Sequence, residues 1–192
     1  MPTPLYVRIT VWLWLIAALV VGRLGLLGRL PGPAIQAIIV LLTAALLLAY
    51  FKGTGFRAWV DGLDLRALVL LHVTRFVGFY FLVLFARGEL PYAFAVPGGW
   101  GDIVVAALAL LICVVPLGAA MRRRAIAIWN VIGLVDILLV VVTAARLGRE
   151  DIGQMRALTY LPLSLLPTFL VPLVIATHVM IHLRLRREPA PA

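Results

Sequence analysis

The segment LLHVTRFVGFYF, residues 70–81, sets a histidine and an arginine inside a run that is otherwise almost pure hydrocarbon. His72 precedes Arg75 by three residues, so on a helix both side chains lie on one face. A guanidinium carries five donors and can grip a carboxylate with two of them, leaving others for a further partner. The carboxylate at matching depth is Asp136, in WNVIGLVDILLVV. Counting 1.5 Å per residue from the arginine-rich helix ends puts Arg75 roughly 14 Å and Asp136 about 16 Å along their helices. The expectation is an Arg75–Asp136 ion pair between the third and fifth helices. Asn130, six residues before Asp136, falls near the depth of His72, which makes His72, Arg75, Asn130 and Asp136 the candidate lining of one polar cavity.

Ionisable groups at mid-membrane are costly and usually mark solute or proton pathways. The chemistry expected here is binding, and translocation, of a small polar or anionic solute or of protons. Arg75 would hold the anion, Asp136 would balance it, and His72 would titrate near neutrality. A self-satisfied polar network that only locks helix packing is the structural alternative. The chain would then be a non-catalytic membrane assembly subunit. His178 lies near His72 in depth, and two facing histidines are the simplest axial pair for a b-type haem, so a redox module with a quinone partner is the alternative reading. Only three histidines exist and no CxxCH is present. No HExxH or comparable ligand set appears, so no metal site is expected. Cys113 stands alone, which excludes an intrachain disulfide and CxxC chemistry. Asp136 and His72 as acid and base would make an intramembrane enzyme acting on a lipid. No Walker loop, dinucleotide fingerprint, GxSxG or aspartate-rich diphosphate motif accompanies them.

The stretch GELPYAFAVPGGWGD reads as the longest non-basic loop. Pro97-Gly98-Gly99 is expected to turn with positive φ, leaving Asp102 as the N-cap of the fourth helix. Glu89 and Asp102 would flank an entry from the outer side, with the loop as a lid covered by protein or water.

Something must hold these groups in hydrocarbon, and the composition says what. The 192 residues are 64% hydrophobic and 13% charged, with mean hydropathy +1.11, whereas a soluble domain is about half apolar and about a quarter charged. Six apolar runs near 8–27, 34–51, 66–86, 102–120, 125–147 and 159–183 are long enough to cross a core of roughly 30 Å. The expected fold is all-α: a polytopic integral membrane protein, one bundle of six transmembrane helices with the lipid bilayer as its partner. Residues 184–192 are expected as a flexible basic and Pro/Ala tail. The first run, followed by GRLGLLGRLPGPA without a clear cleavage site, reads as a retained span.

The net charge of +9 sits in clusters at the ends of apolar runs and forms no stripe, which argues against a nucleic-acid partner. Basic residues favour the side holding both termini, by ten (Arg8, Lys52, Arg57, Arg66, Arg122 to Arg124, Arg184, Arg186, Arg187) to six (Arg23, Arg29, Arg87, Arg146, Arg149, Arg156). Both termini are therefore expected in the cytoplasm, with the protein in the plasma (inner) membrane. Trp12, Trp14, Trp59, Trp100 and Trp129 read largely as interfacial anchors, and Asp61 and Asp64 as a solvated loop pair. Pro162, Pro167 and Pro172 are expected to bend the sixth helix.

Overall fold

The computed structural model describes residues 2–187. The chain is all-α, 86% helical, and no strand occurs among the described residues. Among the described residues six helices are long and apolar enough to cross a membrane: Leu5–Arg23, Pro33–Lys52, Leu65–Ala86, Tyr92–Val114, Ala119–Glu150 and Leu166–Arg187. In chain order they are the first to sixth spans. Uninterrupted hydrocarbon makes these segments helical, because only a helix satisfies its own backbone polar groups without water. The protein is an integral membrane protein of the multi-pass type.

The fourth span starts ten residues before its expected position, at Tyr92 rather than 102. Pro97, Gly98 and Gly99 form no turn; they lie inside the helix. Among the described residues only Gly25 and Gly88 have positive φ. The reversal comes earlier, at Gly88 (φ 72°). There the amide of Glu89 donates to the Leu84 carbonyl at 2.8 Å and that of Gly88 to Phe85 at 2.9 Å, a Schellman ending. Pro97, the sixth residue of this helix, withholds the amide that would bond the Ala93 carbonyl, a loss tolerated in a bundle where neighbouring groups can serve the freed oxygen. At the other end of the chain, Arg184 to Arg187 continue the sixth span instead of beginning a loose tail. Residues 188–192 of that expected tail lie outside the described residues.

The chain folds as two compact units. The first runs from the N-terminus through Leu63 and adds Ala144–Ala176. In it, Pro172 lacks the amide that would bond the Thr168 carbonyl, and the indole of Trp14 donates to that oxygen instead, at 2.7 Å. A π-type turn runs over Leu166–Leu170, around Pro167. Trp14 is thus a structural donor and no interfacial anchor. Asp61 is likewise held, accepting from Tyr50 at 2.7 Å.

The second unit comprises Asp64–Thr143 and the described residues from Thr177 onward. Asp64 caps the third span: its carboxylate accepts from the Arg66 amide at 2.9 Å. The Arg66 side chain beside it holds that carboxyl below the usual carboxylate range. The third and fourth spans cross where glycine meets glycine. A methyl on Gly78 would collide with the Gly99 carbonyl oxygen, and one on Gly99 would lie 2.9 Å from the Gly78 oxygen. Lipid gives helices no hydrophobic reason to associate, so close backbone approach of this kind supplies the attraction.

Gly78→Ala is expected to lower stability by about 1–3 kcal/mol, since the obstacle is backbone and cannot rotate away. Gly118→Ala meets open space and is expected to change stability by less than about 0.5 kcal/mol. Unfolding in mixed detergent micelles compares the two.

Candidate functional site

The third span is not uniformly α. Leu71–Val77 is wound to 3₁₀ geometry between α-helical stretches. With three residues per turn, side chains three apart eclipse. His72, Arg75 and Gly78 therefore fall on one line facing inward, with His72 0% and Arg75 3% exposed. Gly78 makes the close crossing, and its two polar neighbours on that line are carried into the interior with it.

Arg75 sits at the middle of its span, ten residues from Leu65 and eleven from Ala86. Its guanidinium is clasped from two helices. Nε donates to Asp102 Oδ1 at 2.6 Å and Nη1 to the Gly133 carbonyl at 2.9 Å. Nη2 donates to Asp136 Oδ2. The pair expected from depth, Arg75 and Asp136, is in contact, and a second carboxylate has joined it. Asp102 lies ten residues into the 23-residue fourth span, buried and ion-paired, so it is no N-cap. Glu89 is exposed in the turn, and these two acids do not flank one entry. The side chain of Asp136 is 21% exposed against 5% for Asp102.

Asp102 is expected as an N-cap and entry residue because GGWGD resembles a loop; within the helix it becomes a partner of Arg75 instead. The available signal was the helical period: Phe94, Ala95, Gly98, Gly99, Asp102, Val105, Ala106, Ala109 and Ile112 are all buried, at three- and four-residue steps that place Asp102 on the packed face. Gly101 makes room for the fifth span, because a methyl there would strike the Asp136 carboxylate.

A second polar group adjoins the first. Asn130 Nδ2 donates to the backbone carbonyl of His178 at 3.1 Å, and this bond orients the amide. Asn130 Oδ1 is then an acceptor, 2.8 Å from His178 Nδ1, so Nδ1 carries the hydrogen and Nε2 of neutral His178 is a bare lone pair. Among the described residues that Nε2 is buried without a hydrogen-bond partner, as is Nδ1 of His72. His72 Nε2 lies 3.2 Å from Thr177 Oγ1. Gly133 joins the two groups: its carbonyl takes the Arg75 hydrogen bond, while a methyl on its Cα would lie 3.0 Å from His178 Nε2. Trp129, expected at the interface, is instead buried, donating to the Val105 carbonyl at 2.9 Å and packing edge-on to His72 at 4.9 Å between ring centres.

This geometry bears on the haem alternative. The imidazole centres of His72 and His178 are 4.1 Å apart, direct ring contact, with Trp129 against both. A porphyrin held by both histidines would need the space that this contact fills, and the arrangement does not fit one. No cluster of three or more His, Cys, Asp or Glu suited to a metal ion occurs among the described residues.

A family model described as Domain of unknown function (DUF8737) matches residues 32–186, a stretch that includes every residue of this site. No curated protein and no solved structure matches the chain.

Arg75→Met strands one buried and one partly buried carboxylate and is expected to lower stability by about 3–5 kcal/mol. Adding Asp102→Asn and Asp136→Asn to it removes the stranded charges and is expected to restore most of that loss. Denaturation of the purified variants in micelles measures both. Because the two imidazoles leave no slot between them, purified protein is expected to show no Soret band in its visible spectrum.

Proposed function

As the chain belongs to the DUF8737 family, with a match over most of its length that names no chemistry, we propose from its residues that the protein binds and passes protons at mid-membrane. The site is the Arg75–Asp102–Asp136 triad, with His178 as the next acceptor. What carries this reading is the charge count at the triad: two carboxylates surround one guanidinium. One negative charge is left over at the middle of three spans, where unbalanced charge is expensive. A single proton neutralises it.

The bare Nε2 of His178 supports the same reading. It lies against Gly133, one helical turn from Asp136 along the fifth span, and chains of Asp and His at this depth are the usual material of proton relays. Asp136, the more exposed of the two acids, is the group through which the triad exchanges its proton. An anionic solute is disfavoured, because two carboxylates already occupy the guanidinium and would repel it. A small cation would meet the same charge count, and a purely architectural network would need no exchange at all. The location goes with this reading: the plasma (inner) membrane with both termini cytoplasmic, on the ten-to-six bias of basic residues.

The test is proton flux into proteoliposomes under an imposed membrane potential, read by an entrapped pH dye. Wild-type protein is expected to conduct protons, and Asp136→Asn and Asp102→Asn are each expected to slow the flux by at least about a hundredfold. Flux no greater than through empty vesicles overturns the proposal, as does flux unchanged in the two folded variants. Sodium-dependent current without proton flux reassigns the site to a cation. A stoichiometric co-purifying protein with neither activity turns the reading to an assembly subunit.

A further inference from the structure

At the arginine-rich end of the second unit, the last two turns of the fourth span and the first turns of the fifth enclose a groove of about 300 Å³. That is within the size range of small-ligand sites, roughly 300–1,000 Å³. Its walls are wholly apolar, built by Leu111, Ile112 and Val115 on one side and Ala125, Ile128 and Trp129 on the other. Leu111 is 55% and Ile128 64% exposed, so the groove opens sideways, toward membrane hydrocarbon. The wall residues 108–115 cover about 10 Å along the helix axis.

The mouth of the groove is cationic. Arg122 adjoins it, with Nη2 donating to the carbonyl of Val115, a groove residue, at 3.4 Å. Its Nε is buried and has no hydrogen-bond acceptor among the described residues, a state that costs free energy. Arg123 and Arg124 follow in sequence. Arg123 donates to the Leu185 carbonyl, which brings the end of the sixth span, with Arg184, Arg186 and Arg187, beside them. Asp64 at this end is already paired with Arg66 at 2.8 Å. We propose that this groove and the arginines at its mouth bind one anionic phospholipid, with an acyl chain along the groove and the phosphate against Arg122 and Arg124.

The chemistry asks for both halves of that ligand together. A side-opening apolar trough takes a tail that is already in the bilayer. Arg122 and Arg124 set positive charge at this end of the fifth span, and a phosphate oxygen is a strong acceptor that brings the opposite charge. Clustered arginines at a helix end attract anionic lipid surfaces in general; the groove below them makes this a defined site. The inference does not depend on the proton reading, since none of its residues belongs to the triad.

Native mass spectrometry of the detergent-purified full chain tests it, with phosphatidylglycerol, phosphatidylcholine of the same acyl chains, and inorganic phosphate as probes. One phosphatidylglycerol is expected to stay bound in preference to phosphatidylcholine. Arg122→Gln with Arg124→Gln is expected to weaken that binding by about thirtyfold, from two surface charges. Arg122→Lys with Arg124→Lys keeps the charge and most of the preference. Ala125→Phe fills the groove and is expected to weaken both lipids while leaving inorganic phosphate unaffected. Equal retention of the two lipids by wild type overturns the proposal, as does a preference that survives both the Gln pair and Ala125→Phe. Full competition by inorganic phosphate overturns it too, reducing the site to a free-anion site. If the Gln pair fails to fold, Arg124→Gln alone decides the headgroup half, with a loss of several-fold expected and no loss overturning it.

Discussion

A guanidinium at the middle of a hydrocarbon-length helix cannot give up its charge, and leaving it unpaired costs at least about 2.5–3.5 kcal/mol on insertion scales. Much of the second unit can be understood as the means of meeting that demand. Three nitrogens of Arg75 are each given an oxygen, two from carboxylates and one from the Gly133 backbone. Bringing acids on two other spans within reach requires helices to approach more closely than ordinary side chains allow. Glycine stands at these approaches: Gly78 against Gly99, Gly101 against Asp136, and Gly133 against His178.

The same solution leaves a charge excess. A single carboxylate would have balanced Arg75; two do not. The more buried acid, Asp102, sits on the packed face of the fourth span, and the less buried one, Asp136, retains partial exposure. The histidine pair beyond Gly133 is held by Asn130 and Thr177 and backed by Trp129, yet keeps two ring nitrogens without hydrogen-bond partners. A network built for rigidity alone tends to satisfy every buried atom. The bare lone pair of His178 Nε2 beside two carboxylates that share one guanidinium is what the proposed proton exchange would use.

The first unit meets its backbone demands differently. Its prolines open the helical ladder of the sixth span, and a tryptophan from the first span fills the vacancy at Thr168. The Tyr50–Asp61 bond lies near a helix end. Among its described residues no charged side chain lies at the middle of a span, in contrast to the second unit.

How much of this could be read from the residues depended on which kind of force decided each feature. Segment length and apolarity are properties of the chain itself, so the six spans and the membrane environment follow from the sequence, as does the contact of Arg75 with Asp136, because rise per residue converts position into depth. Helix content within GELPYAFAVPGGWGD did not follow, since proline and glycines signal a turn in water but close packing in lipid. Asp102 therefore changed from a helix cap into the second carboxylate of the triad. The histidines were legible as neighbours in depth, while their ring contact, which leaves no room for a haem, is set by how near Gly133 lets His178 come. Local sequence determined which groups enter the membrane; the distances between helices, decided only by tertiary packing, determined which of them meet.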